Sequence, residues 1–344
     1  MKKTSTPPKS FRINNKTVLL FAGILLFISG LTIAAHIYID RSRRHTTETV
    51  SKGDPECPSS FILIRENGNE LINRLYFADS ETQSSKYDAL RVDLSRKILE
   101  YTGKGTVHTA SVYCRDLTDG SWMGIDGDRP YLPGSLMKVP IMIYFLMMDQ
   151  EHKVNLNNEL LYEKPKQSFP SQVYKGDSIL SGRKYKISEL LKYMIVESDN
   201  NATHLLSKHL ESDPFRKIFT DLQIPPDEIN DVNYKINVKE YSRFFMVLYN
   251  ATYLHRNPSE KALELLAKCK FNNGITKLLP PGTIVARKFG ECGRNDDMMF
   301  GEGGIVYLKN KAYLLTIFTQ GSLVQDQTNL VSELSADVYG FMSR

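Results

Sequence analysis

The chain has 344 residues, a formal net charge of +5 and 41% apolar residues. Residues 1–16 carry Lys2, Lys3, Lys9, Arg12 and Lys16 and no acid, so the excess belongs to the N-terminal tail and the remainder is neutral. That balance excludes a polyanion-binding surface by composition, no basic-aromatic stripe points to nucleic acid, and the length suits one large domain.

From Val18 to Ala35 no residue is charged, and the apolar run continues to Ile39. A helix of ~20 such residues crosses a bilayer, so 17–39 reads as a transmembrane anchor and 1–16 as a cytoplasmic tail. A cleaved signal peptide is the competing reading; Ala34-Ala35 allows it, but the apolar core is long and no clean small-x-small site follows. Arg41, Arg43 and Arg44 follow the span beside Asp40, so the flanking charge leans towards an N-terminus inside and a C-terminal part outside, at the cell membrane. Residues 40–85, with turn signals at Lys52-Gly53-Asp54-Pro55 and Glu66-Asn67-Gly68-Asn69, read as a stalk. Cys57, Cys114, Cys269 and Cys292 form no C-x-x-C pair, which argues against zinc. An extracytoplasmic setting permits disulfides, while free buried thiols are equally consistent with the spacing.

The domain from Lys86 to Arg344 opens on a helical pattern through Tyr87, Leu90, Val92, Leu94, Ile98 and Leu99, which Gly103 and Gly105 end. Val107–Leu117 and Ser121–Ile125 read as a hairpin around Thr118-Asp119-Gly120. Leu132-Pro133-Gly134 breaks the chain before an apolar helix from Ser135 to Met148, with Pro140 expected just beyond its first turn. Helices follow at 187–194, 202–210, 238–254 and 259–269. Strands are predicted at 284–289, 304–309 and 313–319, and a helix at 331–341. The order predicts an α/β fold of the α+β kind: an antiparallel sheet flanked by terminal helices, with a helical block inserted in sequence.

Three short motifs carry chemistry. In Ser135-Leu136-Met137-Lys138, positions i and i+3 share a helix face, so Lys138 lies one turn from a candidate nucleophile. A serine hydroxyl needs a base, and a lysine serves as one only when desolvation or neighbouring positive charge lowers its pKa; Val139-Pro140-Ile141-Met142 supplies the apolar setting. Ser198-Asp199-Asn200 lies between two helices: its hydroxyl can relay a proton and its amide can pair with a substrate amide, although a helix N-cap explains it as simply. Lys288-Phe289-Gly290 falls on an edge-like strand, where Gly290 permits close approach and Lys288 offers positive charge. A second Ser-x-x-Lys, Ser181-Gly182-Arg183-Lys184, warns against trusting any one motif alone.

Ser-x-x-Lys, Ser-Asp-Asn and Lys-x-Gly in this order resemble the penicillin-recognising serine hydrolases, most closely their class A β-lactamase-like branch. Ser111-Val112-Tyr113 with Gly120-Ser121-Trp122 resembles the preceding hairpin, and Tyr131–Pro140 the nucleophile segment. The resemblance implies acylation of Ser135 with Lys138 as base and Ser198 as proton relay. It also implies that Asn200 holds the substrate amide, that Lys288 positions Ser198 and attracts the substrate carboxylate beside Gly290, and that the N–H groups of Ser135 and Glu291 bind the oxyanion. A β-lactam or a peptidoglycan-derived amide is the implied substrate, with no metal or organic cofactor, and a monomer is expected. The sequence departs from the family pattern twice. Phe289 stands where a carboxylate-binding hydroxyl is usual. The stretch Pro225–Asn230 is short, leaving Glu228 the one candidate deacylation base, set against a solvated loop charge. These departures keep open a slowly deacylating penicillin-binding peptidase and a non-catalytic wall-binding or sensor domain.

Overall fold

The structure is a computed structural model; it describes residues 61–66, 73–164, 174–226, 229, 233–294 and 296–344. All of them belong to a compact unit spanning Thr49–Arg344. The expected anchor at 17–39, Cys57 and Glu228 lie outside the described residues. Among the described residues no helix is long and apolar enough to cross a membrane.

Five antiparallel strands form the central sheet in the order β4-β3-β9-β8-β7: β3 (Val107–Asp116), β4 (Trp122–Ile125), β7 (Val285–Arg294), β8 (Asp297–Tyr307) and β9 (Ala312–Gly321). Both sheet faces are covered, so β9 is apolar almost throughout instead of alternating with polar residues. Its period-2 geometry sends Leu314 and Phe318 to one core and Leu315 and Ile317 to the other. Helices α1 (Asp88–Gly103) and α8 (Val324–Met342) close the second core. Leu90, Leu94, Ile98 and Tyr101 of α1, and Leu330, Leu334 and Val338 of α8, recur at helical spacing and are buried.

The opposite face carries the inserted helices: α2 (Lys138–Gln150), α3 (Ile187–Val196), α4 (Asn200–Ser207), α5 (Ser212–Asp221), α6 (Val238–Tyr249) and α7 (Arg256–Ala267). The core of this block is aromatic: Phe219 meets Phe215, Tyr234 and Phe244 edge to face at 5.3–6.0 Å. Helix α5 is not among the sequence expectations, because its apolar positions, Phe215, Ile218 and Phe219, are few and follow Pro214.

The stalk reading of 40–85 needs correction from Phe61 onward. Strands β1 (Phe61–Arg65) and β2 (Leu75–Ser80) pair antiparallel, and Ile64, Tyr76 and Phe77 join the helical-side core. Trp122 Nε1 donates to Ser80 O at 2.7 Å, and Arg115 pairs with Asp79 and donates to Ala78 O. Two apolar runs separated by turn residues are a hairpin signal; the turn residues alone suggested a tether. A second small hairpin joins β5 (Glu159–Tyr162) to β6 (Arg183–Lys186). It carries the repeated Ser-x-x-Lys: Lys184 is exposed there and Ser181 Oγ accepts from Lys164 N–H, far from the nucleophile's setting.

Candidate active site

Ser135 lies in a 3-10 turn, Gly134–Met137, that leads into α2, and not in the first turn of the α-helix itself. The helix proper begins at Lys138, which puts Pro140 inside its first turn. The N–H that proline lacks has no intrahelical partner at that position, so the residue fits without loss.

Two glycines dock this turn onto edge strand β7. Gly134 has φ +49°, and a Cβ there would stand 2.7 Å from Glu291 O. A Cβ on Gly290 would meet Leu136 N and Pro133 O, both at 2.7 Å. The backbones therefore touch, and the main chain of Glu291 is brought beside the serine turn. Gly290→Ala is expected to cost about 1–3 kcal/mol from overpacking alone. A urea midpoint equal to that of the wild type would mean that turn and strand do not press together.

Lys138 is 2% exposed. Its Nζ lies 2.5 Å from Ser198 O, 3.1 Å from Ser198 Oγ and 2.9 Å from Asn200 Oδ1. Lys288 is fully buried on β7, and its Nζ donates to the same Ser198 Oγ at 2.9 Å and to Phe289 O at 2.8 Å. Two lysines thus converge on one hydroxyl. Burial, and then the charge of Lys288, drives the Lys138 pKa well below the ordinary lysine value. Burial brings that of Lys288 down to about 8. Protonated, Lys138 can donate to all three of these oxygens; neutral, it keeps two N–H donors and one lone pair able to take a proton.

The turn between α3 and α4 supplies this geometry. Ser198 is completely buried with φ +55°, a left-handed conformation unusual for serine, and surrounding bonds hold it there. Asp199 caps α4, accepting from Asn201 and Ala202 N–H at 3.0 and 3.2 Å. The N-cap reading of this triplet is therefore correct for Asp199, while Ser198 and Asn200 face the lysines.

Several residues that sequence reasoning missed also shape the site. Asp199 ties down a crossing strap by accepting from Ser178 Oγ at 2.8 Å and Ile179 N–H at 3.1 Å. The strap is held further by Glu197 Oε2, which accepts from Asp177 N–H, and by Lys270, paired with Glu197 at 2.7 Å. At its start, Tyr174 donates its N–H to Glu291 Oε1 at 3.1 Å and packs its ring on Phe289. Phe289 in turn stacks on Phe271 at 4.2 Å and lies 4.0 Å beneath the Lys288 ammonium. The buried pair Arg287–Glu302, 2.9 Å apart, anchors the neighbouring loop: Arg287 donates to Phe271 O and Glu302 accepts from Ile275 N–H. Only the polar Tyr174–Ile179 run and the 197–199 acids could have signalled the strap in sequence, and neither points to the other.

Cys114, Cys269 and Cys292 are free thiols. Burial pushes Cys114 up to about 12 and Cys292 up to about 11, so both stay protonated near neutral pH.

A sheet packed between terminal helices and an inserted helical block, with Ser-x-x-Lys, Ser-Asp-Asn and Lys-x-Gly meeting at one edge, is the architecture of the penicillin-recognising serine hydrolases. The sequence profile of the Beta-lactamase enzyme family matches residues 93–342. The chain belongs to that family. Among solved structures, the TLA-1 extended-spectrum β-lactamase is 17% identical with a TM-score of 0.64, over 76% of this chain and 100% of its own. A class A β-lactamase from Bacteroides cellulosilyticus DSM 14838 is 16% identical with a TM-score of 0.62, over 74% and 98%. PBP-A is 18% identical with a TM-score of 0.61, over 74% and 96%. At such identities the likeness speaks for the fold. No curated protein gives a significant match.

Proposed function

We propose that the protein is a membrane-anchored, extracytoplasmic serine hydrolase that acts on a β-lactam or a peptidoglycan-type amide through an acyl-Ser135 intermediate. The observation that carries this reading is the convergence of two buried lysines on the Ser198 hydroxyl, one of which, Lys138, has a strongly lowered pKa and lies one turn along the chain from Ser135. Lys138 takes the Ser135 proton as Oγ attacks the carbonyl carbon. The N–H groups of Ser135 and Glu291 receive the developing oxyanion. Ser198, oriented by Lys288, delivers a proton to the leaving nitrogen as the C–N bond breaks, and Asn200 holds the substrate's other amide. The anchor assignment rests on the uncharged run from Val18 to Ala35.

Phe289 favours a second reading within the same chemistry: a penicillin-binding enzyme that acylates and then deacylates slowly. A solved PBP-A variant carries penicillin G as an acyl-enzyme. Intact-mass spectrometry of the detergent-solubilised chain with a reactive β-lactam separates the readings. A mass gain that appears and vanishes while hydrolysed drug accumulates supports a β-lactamase. A persistent gain supports the slow enzyme, and no gain supports a non-catalytic domain.

The acylation rate is expected to follow a bell in pH. A base works when deprotonated, so the rate rises with pH through the lowered Lys138 pKa. It falls near pH 8, where Lys288 loses the proton with which it orients Ser198. A rate still rising steadily from pH 7 to pH 10 would remove Lys288 from that role.

A further inference from the structure

The charge arrangement around the β7 edge is unusual for a site expected to take an anionic amide. Lys288 is fully buried, its ammonium is bonded to Ser198 Oγ and Phe289 O, and it lies against the Phe289 ring. Lys270 is paired with Glu197 and Asp177, and Arg287 with Glu302. Lys175, next to Tyr174, is exposed. Strand alternation puts the side chains of residues 289 and 291 on one face, roughly 7 Å apart. The resemblance expects a carboxylate-binding hydroxyl on that face; a phenyl ring covered by Tyr174 and then a carboxylate occupy it instead. The negative charge of Glu291 reaches inward, favouring the protonated forms of both Lys138 and Lys288.

We propose that Glu291 sets the charge preference of the acyl site, which accepts amides whose group beyond the scissile nitrogen is neutral or cationic and disfavours those with a carboxylate there. This rests on the acyl-Ser135 reading. The covalent step is the one given above: the Ser135 Oγ–C bond forms, C–N breaks, and the serine proton ends on nitrogen. Glu291 takes no part in proton transfer and acts by its field on the bound substrate.

The test compares benzylpenicillin with its methyl ester on the full chain in detergent. Each acylation rate is read by intact mass and divided by that compound's rate of hydrolysis by hydroxide. Like charges brought together in a site repel, so the wild type is expected to favour the ester by about tenfold or more. Glu291→Gln keeps an oxygen to accept the Tyr174 N–H while removing the charge, and should shrink this ratio by about tenfold; Glu291→Lys should invert it. A wild type that favours the acid, or a ratio unchanged in both variants, overturns the proposal. So does a lack of reaction with either penicillin. In that case a neutral fluorophosphonate distinguishes the two failures: phosphonylation of Ser135 means that only the charge rule is wrong, and no modification means that the serine reading has failed with it.

Discussion

Ser135→Ala is expected to abolish covalent labelling by a reactive β-lactam, with no mass gain at concentrations that saturate the wild type. No neighbouring group replaces the lost oxygen. Ser198 Oγ is fully buried and held by both lysines, and its backbone sits in a left-handed conformation fixed by the surrounding turn. The substitution removes one oxygen from a buried residue in a turn held by backbone contacts with β7, so the variant should keep its melting temperature within a few degrees. Undiminished labelling would sink the mechanism, and labelling that moves to Ser198 would reverse the two serine roles.

Lys138→Ala is expected to slow acylation by roughly 10²–10⁴, the weight of a positioned general base. A charge role and a base role are separated by Lys138→Arg, because guanidinium does not give up its proton at accessible pH. If Lys138 acts as base, arginine should be as slow as alanine, and the ascending limb of the pH profile should vanish in both. An arginine variant with near-normal acylation would instead make position 138 an electrostatic one. The alanine change leaves Ser198 O and Asn200 Oδ1 short of a donor, at about 1–3 kcal/mol for each acceptor left unsatisfied, and arginine must fit a larger group into a buried site, so the melting temperature must be read alongside the rate.

Much of the fold was legible in sequence where one element's own periodicity decides it. The α1 stripe from Leu90 to Ile98 and the hairpin around Thr118-Asp119-Gly120 stand close to where apolar spacing put them, while two of the three C-terminal strands run longer than expected, β7 on to Arg294 and β8 from Asp297. The hairpins β1–β2 and β5–β6 and helix α5 were not, because each is short and is held mainly by what it packs on. Ile64, Tyr76 and Phe77 look like scattered apolar residues until the helical block covers them.

The site divides in the same way. The sequence by itself determined which residue types are available: a serine and a lysine one turn apart, a Ser-Asp-Asn turn, a lysine before a glycine, and a phenylalanine where a hydroxyl is usual. It also carried the apolar surroundings of Lys138, and hence the direction of its pKa shift. Only the tertiary structure decided that Lys138 and Lys288, from opposite layers of the domain, meet at one hydroxyl, because that contact spans 90 residues between Ser198 and Lys288. It also decided that Gly134 and Gly290 fit backbone to backbone, and that Tyr174 closes over Phe289 and bonds to Glu291. The physical reason is one of range. Helix and strand patterns report a residue's burial within its own element, whereas partners, desolvation and field at a site are set by atoms from elements far apart in the chain.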